Sequence, residues 1–248
     1  MIFKRKVYDK LLEWKKLSAG GSAAFLEVAR RIGKSTIVEE FAKNEYDDYM
    51  ILDFAREGND IRENFIENMS HLDSFFRNLF LLKGKSLEGT RCVIIFDEVQ
   101  MFPQARQAIK YLVADGRYDY IETGSLISIR KNVQNILIPS EEYRIKMYPM
   151  DFEEYLWALN DTVTIPAITE AFQKRRALGD AIHRKIMKTF RTYMVVGGMP
   201  QAVEALVSGK TFAQIDFVKR NILSLYEEDL SKYVNENREK ASVIYKTL

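Results

Sequence analysis

The sequence predicts an α/β fold: a mainly parallel five-stranded sheet, with a smaller, mainly helical part after it in the chain. Three observations carry that expectation. Five short apolar stretches alternate with helix-length amphipathic ones as far as Tyr148. One of them, Arg91-Cys92-Val93-Ile94-Ile95-Phe96, is the unbroken apolar run that a strand covered on both faces requires. Beyond Pro166 only helical spacing remains.

Taken in order, Val7, Leu11 and Trp14 recur at helical spacing within residues 4–16, and Ser18-Ala19-Gly20-Gly21-Ser22 ends that helix. Ala23-Ala24-Phe25-Leu26-Glu27-Val28 reads as the first strand, followed by a basic loop closing on Gly33-Lys34-Ser35-Thr36 and a helix marked by Ile37, Val38, Phe41 and Ala42. The second strand covers residues 49–54, and two helical stretches follow with Ile61, Phe65 and Ile66, then Leu72, Phe75, Phe76 and Leu79. The third strand ends abruptly in Asp97-Glu98. A helix over residues 103–114 and strands at 118–123 and 144–148 complete the alternation. Asp151 suits the cap of a helix carrying Phe152, Tyr155, Leu156 and Trp157. The boundary is expected near residue 160, giving a first domain over 1–160 and a second over 161–248. Helices over 166–176, 180–195, 200–208 and 211–233 fill the second, and Gly197-Gly198-Met199-Pro200 is its sharpest stop.

The chain has 248 residues, 47% hydrophobic and 29% charged, enough for a full core and too apolar for disorder. No apolar run approaches the length of a bilayer span, and Met1-Ile2-Phe3-Lys4-Arg5-Lys6 turns polar at once, so neither a membrane span nor a secretory leader is expected. A single cysteine, Cys92, points to a reducing, cytoplasmic setting, and two isolated histidines, His71 and His183, argue against zinc and receive no catalytic role. With net charge +2, a nucleic-acid or membrane partner has to be argued from local patches.

The chemistry concentrates in the loop after the first strand. Val28-Ala29-Arg30-Arg31-Ile32-Gly33-Lys34-Ser35 has the spacing G-x-x-x-x-G-K-[ST], with valine in place of the first glycine. In such a loop, backbone N–H groups cradle phosphate oxygens, Lys34 offers a compact charge to the β- and γ-phosphates, and the Ser35 hydroxyl is a Mg²⁺ ligand. A β-branched residue at position 28 suits a negative φ only, so strain or widening is expected where the strand enters the loop. Asp97 is placed to hold Mg²⁺ and Glu98 to deprotonate an attacking water. The strand at 118–123 runs into Thr123-Gly124-Ser125, and either hydroxyl is a candidate sensor of the γ-phosphate, a plain turn being the alternative. Arg30 and Arg31 suit phosphate, solvent or a neighbouring subunit equally well.

These segments, together with Ile94-Ile95-Phe96-Asp97-Glu98-Val99-Gln100, Tyr148-Pro149-Met150-Asp151-Phe152-Glu153-Glu154-Tyr155-Leu156 and Gly197-Gly198-Met199-Pro200, resemble the P-loop ATPases of the AAA+ and STAND type. The resemblance is specifically to archaeal and bacterial proteins with an AAA domain followed by a DUF4143 region. The resemblance implies a three-layer α/β/α P-loop domain binding ATP and Mg²⁺, followed by a helical lid or winged-helix-like domain. It assigns residues 29–36 to nucleotide binding: Ala29, Arg30, Arg31, Ile32, Gly33, Lys34, Ser35 and Thr36. The Walker A lysine and serine fall on Lys34 and Ser35, the Walker B pair on Asp97 and Glu98, and sensor 1 on Ser125. Many relatives continue into a further C-terminal domain, which implies that this chain is a truncated version or a fragment. The expected activity is Mg²⁺-dependent ATP hydrolysis driving a conformational switch, with Val28 weakening nucleotide binding.

An alternative rests on residues 174–191, where Lys174, Arg175, Arg176, Arg184, Lys185, Lys188 and Arg191 face one acid, Asp180. Arg184, Lys188 and Arg191 share a helix face that suits DNA or a protein partner, in a nucleotide-gated binder with little hydrolysis; a solvated face is the plainer reading. The aromatics Phe75, Phe76, Phe80, Phe152, Tyr155 and Trp157 are expected in packing rather than base stacking.

Overall fold

Every strand expected from the apolar runs forms in a computed structural model that describes residues 1–125 and 140–233. The strands are β1 (Ala23–Val28), β2 (Asp48–Asp53), β3 (Cys92–Asp97), β4 (Asp119–Ser125) and β5 (Glu142–Lys146). All neighbours are parallel, in the order β2-β3-β4-β1-β5. Burial at all six positions of β3 explains its unbroken apolar run. Helices α1 (Lys6–Leu17), α2 (Lys34–Glu45), α3 (Asn59–Asn68), α4 (Leu72–Lys83) and α5 (Pro103–Asp115) complete an α/β arrangement with helices on both faces.

Strand alternation sends Phe25, Leu52, Phe96 and Tyr120 into one core with Phe65, Phe75, Phe76 and Leu79 from α3 and α4, and Ile109 and Leu112 from α5. Phe54, Phe65 and Phe96 meet edge-to-face at centroid separations of 5.6–5.7 Å, each pair adding about 0.5–1.5 kcal/mol beyond its buried area. The aromatics of α4 are therefore packing residues. On α2, Ile37, Val38 and Phe41 are buried, and Tyr8 of α1 meets the Phe41 ring edge-on at 5.2 Å.

β5 begins two residues before its expected start because Glu142 has a partner inside the protein. Arg106 of α5 donates to both its carboxylate oxygens, at 2.6 and 2.8 Å, and lies 4.5 Å from the centre of the Phe25 ring. Beside this pair, Glu122 of β4 is fully buried, and neither of its oxygens has a hydrogen-bond partner among the described residues. Burial, then repulsion from Glu142, pushes its carboxyl well above the usual range against the opposing pull of Arg106. An acid whose folded pKa is raised contributes stability that is full below its unfolded value, near 4.5, and is lost as pH climbs towards the folded value. Glu122→Leu should therefore stabilise the protein by about 1–3 kcal/mol at neutral pH. The gain should shrink as pH falls towards 4.5, as read from urea midpoints across pH.

The chain divides into two compact units, Val7–Met147 and a second made of Met1–Lys6 with Tyr148–Leu248, where the sequence places a single cut near 160. The first six residues join the second unit through ion pairs. Arg5 meets Glu154 at 3.2 Å with both side chains buried, and Lys6 meets Asp151 at 2.6 Å and Glu153 at 2.7 Å. The same carboxylates cap α6 (Phe152–Ala158): Asp151 accepts from the Glu154 N–H at 2.9 Å and the Glu154 side chain accepts from the Asp151 N–H at 3.3 Å. Helices α7 (Thr164–Gln173), α8 (Asp180–Val196), α9 (Pro200–Val207) and α10 (Phe212–Tyr233) follow. Among the described residues this unit has no strand, so it is helical as expected but nothing in it corresponds to a wing. No helix among the described residues is long and apolar enough to cross a membrane.

Candidate functional site

The chain leaves β1, which lies between β4 and β5, for the far edge strand β2, and the carboxyl ends of β1, β3 and β4 gather at one edge of the sheet. Val28 lies opposite Ser125, and Asp53 opposite Asp97.

The loop from Ala29 to Gly33 runs directly into α2. Gly33, at φ 87°, is the N-cap, and neither a capping side chain nor an acidic residue occupies the first turn. The leading N–H groups of α2 thus lack a side-chain acceptor among the described residues, and the helix dipole adds to their pull on an anion. Lys34 is buried, whereas Ser35 and Thr36 are exposed on the first turn. Ala29, Arg30 and Arg31 are exposed, and Ile32 is buried.

The expected strain at Val28 is not where the backbone carries it. Val28 ends β1 as a buried strand residue with no left-handed φ, whereas Arg31, three residues on, has φ 64°. A non-glycine residue there costs about 1–2 kcal/mol.

The Lys34 ammonium is ion-paired with Oε1 of Glu98, across 64 residues of sequence. Glu98 itself has φ 55° and begins a 3-10 turn, Val99–Met101, from which the Gln100 amide donates to Oε2. Asp97 is buried at the end of β3. Its Oδ1 accepts the Thr123 hydroxyl proton and the Glu98 N–H, the latter at 3.1 Å. Glu98 thus joins Lys34, through its side chain, and Asp97, through its N–H. Thr123 is fully buried and spends its proton on Asp97, so it orients that carboxylate rather than facing a phosphate. Ser125 ends β4, but its side chain lies outside the described residues.

Gln100 and the role of Thr123 escaped the sequence reading. The register that sets Phe96 beside Glu122 carries Asp97 to Thr123, and the turn after Glu98 folds Gln100 back onto it. The basic side chains from Lys174 to Arg191 are exposed in the helical unit, and His183 is exposed on α8.

The donor set fits a nucleotide with Mg²⁺. An uncapped helix N-terminus and a buried ammonium suit phosphates, while Ser35 and Asp97 supply two hard oxygens, the usual protein share in a Mg²⁺–nucleotide site.

A family model described as an AAA domain matches residues 22–156. A second, described as a domain of unknown function (DUF8612), matches residues 187–248, where the resemblance implied DUF4143. No curated protein matches the chain. Among solved structures it is similar to "Closed State CryoEM Reconstruction of Hsp104:ATPyS and FITC casein", with 14% identity, TM-score 0.43, and cover of 98% of this chain but 48% of that one. The chain thus spans about half the length of that structure's chain. Since the AAA model takes in more than half of the residues, and the loop, Asp97 and Glu98 all lie inside the matched span, the chain belongs to the AAA domain family.

Proposed function

We propose that the protein is a Mg²⁺-dependent ATPase of the AAA+/STAND type, in which water is the acceptor and turnover drives a conformational switch. The observation that carries this reading is the convergence of Lys34, Asp97 and Glu98 beside the uncapped start of α2. Bound ATP supplies an electrophilic γ-phosphorus, and Mg²⁺ neutralises charge on the phosphates. Residues 29–36 hold the phosphates, Lys34 clamps the β- and γ-oxygens, and Ser35 with Asp97 holds the metal. Glu98 takes the proton of the attacking water, and Ser125 senses the γ-phosphate. Thr123 fixes Asp97 by donating to its Oδ1, which leaves the other carboxylate oxygen as the one that would hold the metal.

Lys34→Ala tests the phosphate clamp. ATP–Mg²⁺ affinity measured by calorimetry should fall about 100-fold, or ~3 kcal/mol, as befits a lost charge-assisted contact. Unchanged affinity would refute the site assignment.

The second reading, a nucleotide-gated binder with little hydrolysis, draws on the exposed Arg184, Lys188 and Arg191 at four- and three-residue steps along α8. A duplex-DNA gel shift that weakens steeply with salt favours it; no shift at low salt removes its DNA form.

A further inference from the structure

We propose that Gln100 is a positioning residue: it holds the Glu98 carboxylate in the site once a phosphate has taken Lys34. The proposal rests on the ATPase reading above and adds a residue to it.

The Glu98 carboxylate is held at both ends, Oε1 by the Lys34 ammonium and Oε2 by the Gln100 amide. Lys34 is also the group that a nucleotide phosphate claims. Each bound nucleotide thus removes one of the two holders. A glutamate side chain released at the open edge of a sheet regains up to about 1.5–2 kcal/mol of rotamer freedom, so it turns to solvent unless another contact retains it.

Gln100 is built to be that contact. It is itself buried, and the turn that carries it is closed by Met101 N–H to the Glu98 carbonyl at 2.9 Å and Phe102 N–H to the Val99 carbonyl at 3.1 Å. Val99 and Phe102 are both buried in the aromatic core, where the Phe102 ring lies 5.5 Å from Phe54 and 5.8 Å from Phe65. None of these contacts involves the phosphate loop, so filling the site leaves the turn where it is. The side chain is also of the right kind. A neutral amide orients a carboxylate through a donated proton without replacing the departed lysine by a second cation.

Two isosteric variants test this, Gln100→Met, which removes the donor, and Gln100→Glu, which removes it and sets a like charge beside Glu98. Both should bind ATP–Mg²⁺ within about twofold of the parent by calorimetry in a Glu98→Gln background, where the nucleotide persists. Both should keep KM and lose at least about tenfold in kcat, Gln100→Glu losing more. Combined with Glu98→Gln, Gln100→Met should add no further loss, because it acts only through the carboxylate already removed. Losses that multiply in the double variant would mean that Gln100 acts on water or substrate directly, and parental kcat in either single variant would mean that it positions nothing; each result overturns the proposal. A parent chain that binds ATP without turnover overturns the ATPase reading and this proposal with it. Parental turnover that is lost in Glu98→Gln but kept in Gln100→Met overturns this proposal alone.

Discussion

Replacing Glu98 by Gln should leave nucleotide binding intact and lower kcat about 100- to 10,000-fold, the range spanned by loss of a positioned general base. The amide keeps the shape of the carboxylate but takes no proton from water. Binding should hold, and even tighten, for a reason visible in the site: Glu98 is the partner of Lys34, so every phosphate that binds must displace it. Glutamine surrenders Lys34 more cheaply because no ion pair is broken. Single-turnover hydrolysis and calorimetry on the same preparation read the two effects separately. Parental turnover in Glu98→Gln would remove the base from the mechanism, whereas a large loss of affinity would mean that the negative charge supports the loop.

The parts of this protein that could be read from its sequence are those whose cause is local. Parallel strands covered on both faces need apolar runs, and β3 is one; a phosphate loop needs Gly33 and Lys34 side by side, and they are. What was not legible depends on register or on distant partners. Thr123 meets Asp97 only because β4 lies beside β3, and Glu142 extends β5 only because Arg106 reaches it from a helix 36 residues earlier. The compact units differ from a single cut near residue 160 for the same reason, since Arg5 and Lys6 find their carboxylates beyond residue 150. The loop misled in a different way. The missing glycine drew attention to Val28, but besides Gly33 the left-handed position belongs to Arg31, whose side chain gives no sign of it.

Gly198→Ala should destabilise the helical unit by more than about 4 kcal/mol, a loss reserved for substitutions that the fold cannot absorb. A Cβ at this position would stand 2.0 Å from the Met150 carbonyl oxygen, 2.9 Å from its nitrogen and 3.0 Å from its carbonyl carbon. All three are backbone atoms, and Met150 is not free to retreat. Its N–H donates to the Gly198 carbonyl at 2.7 Å, its own carbonyl accepts the Tyr193 hydroxyl at 2.9 Å, and its side chain is packed with Tyr155, Val196, Ala202 and Val203. Gly197 is the internal control. It has φ 79° and ψ −178°, an extended positive-φ conformation, and open space around the position of a Cβ, so Gly197→Ala should cost only the backbone term of about 1–3 kcal/mol. The two tryptophans make the comparison measurable, Trp157 lying in the helical unit and Trp14 in the sheet unit. In a Trp14→Phe background, denaturant unfolding followed by Trp157 fluorescence reports the helical unit alone. Equal losses at the two glycines would mean that backbone conformation, and not the approach to Met150, is what the Gly-Gly pair protects. A much larger loss at Gly198 ties the stop before α9 to the segment that begins the unit, and gives each of the two adjacent glycines a separate physical reason.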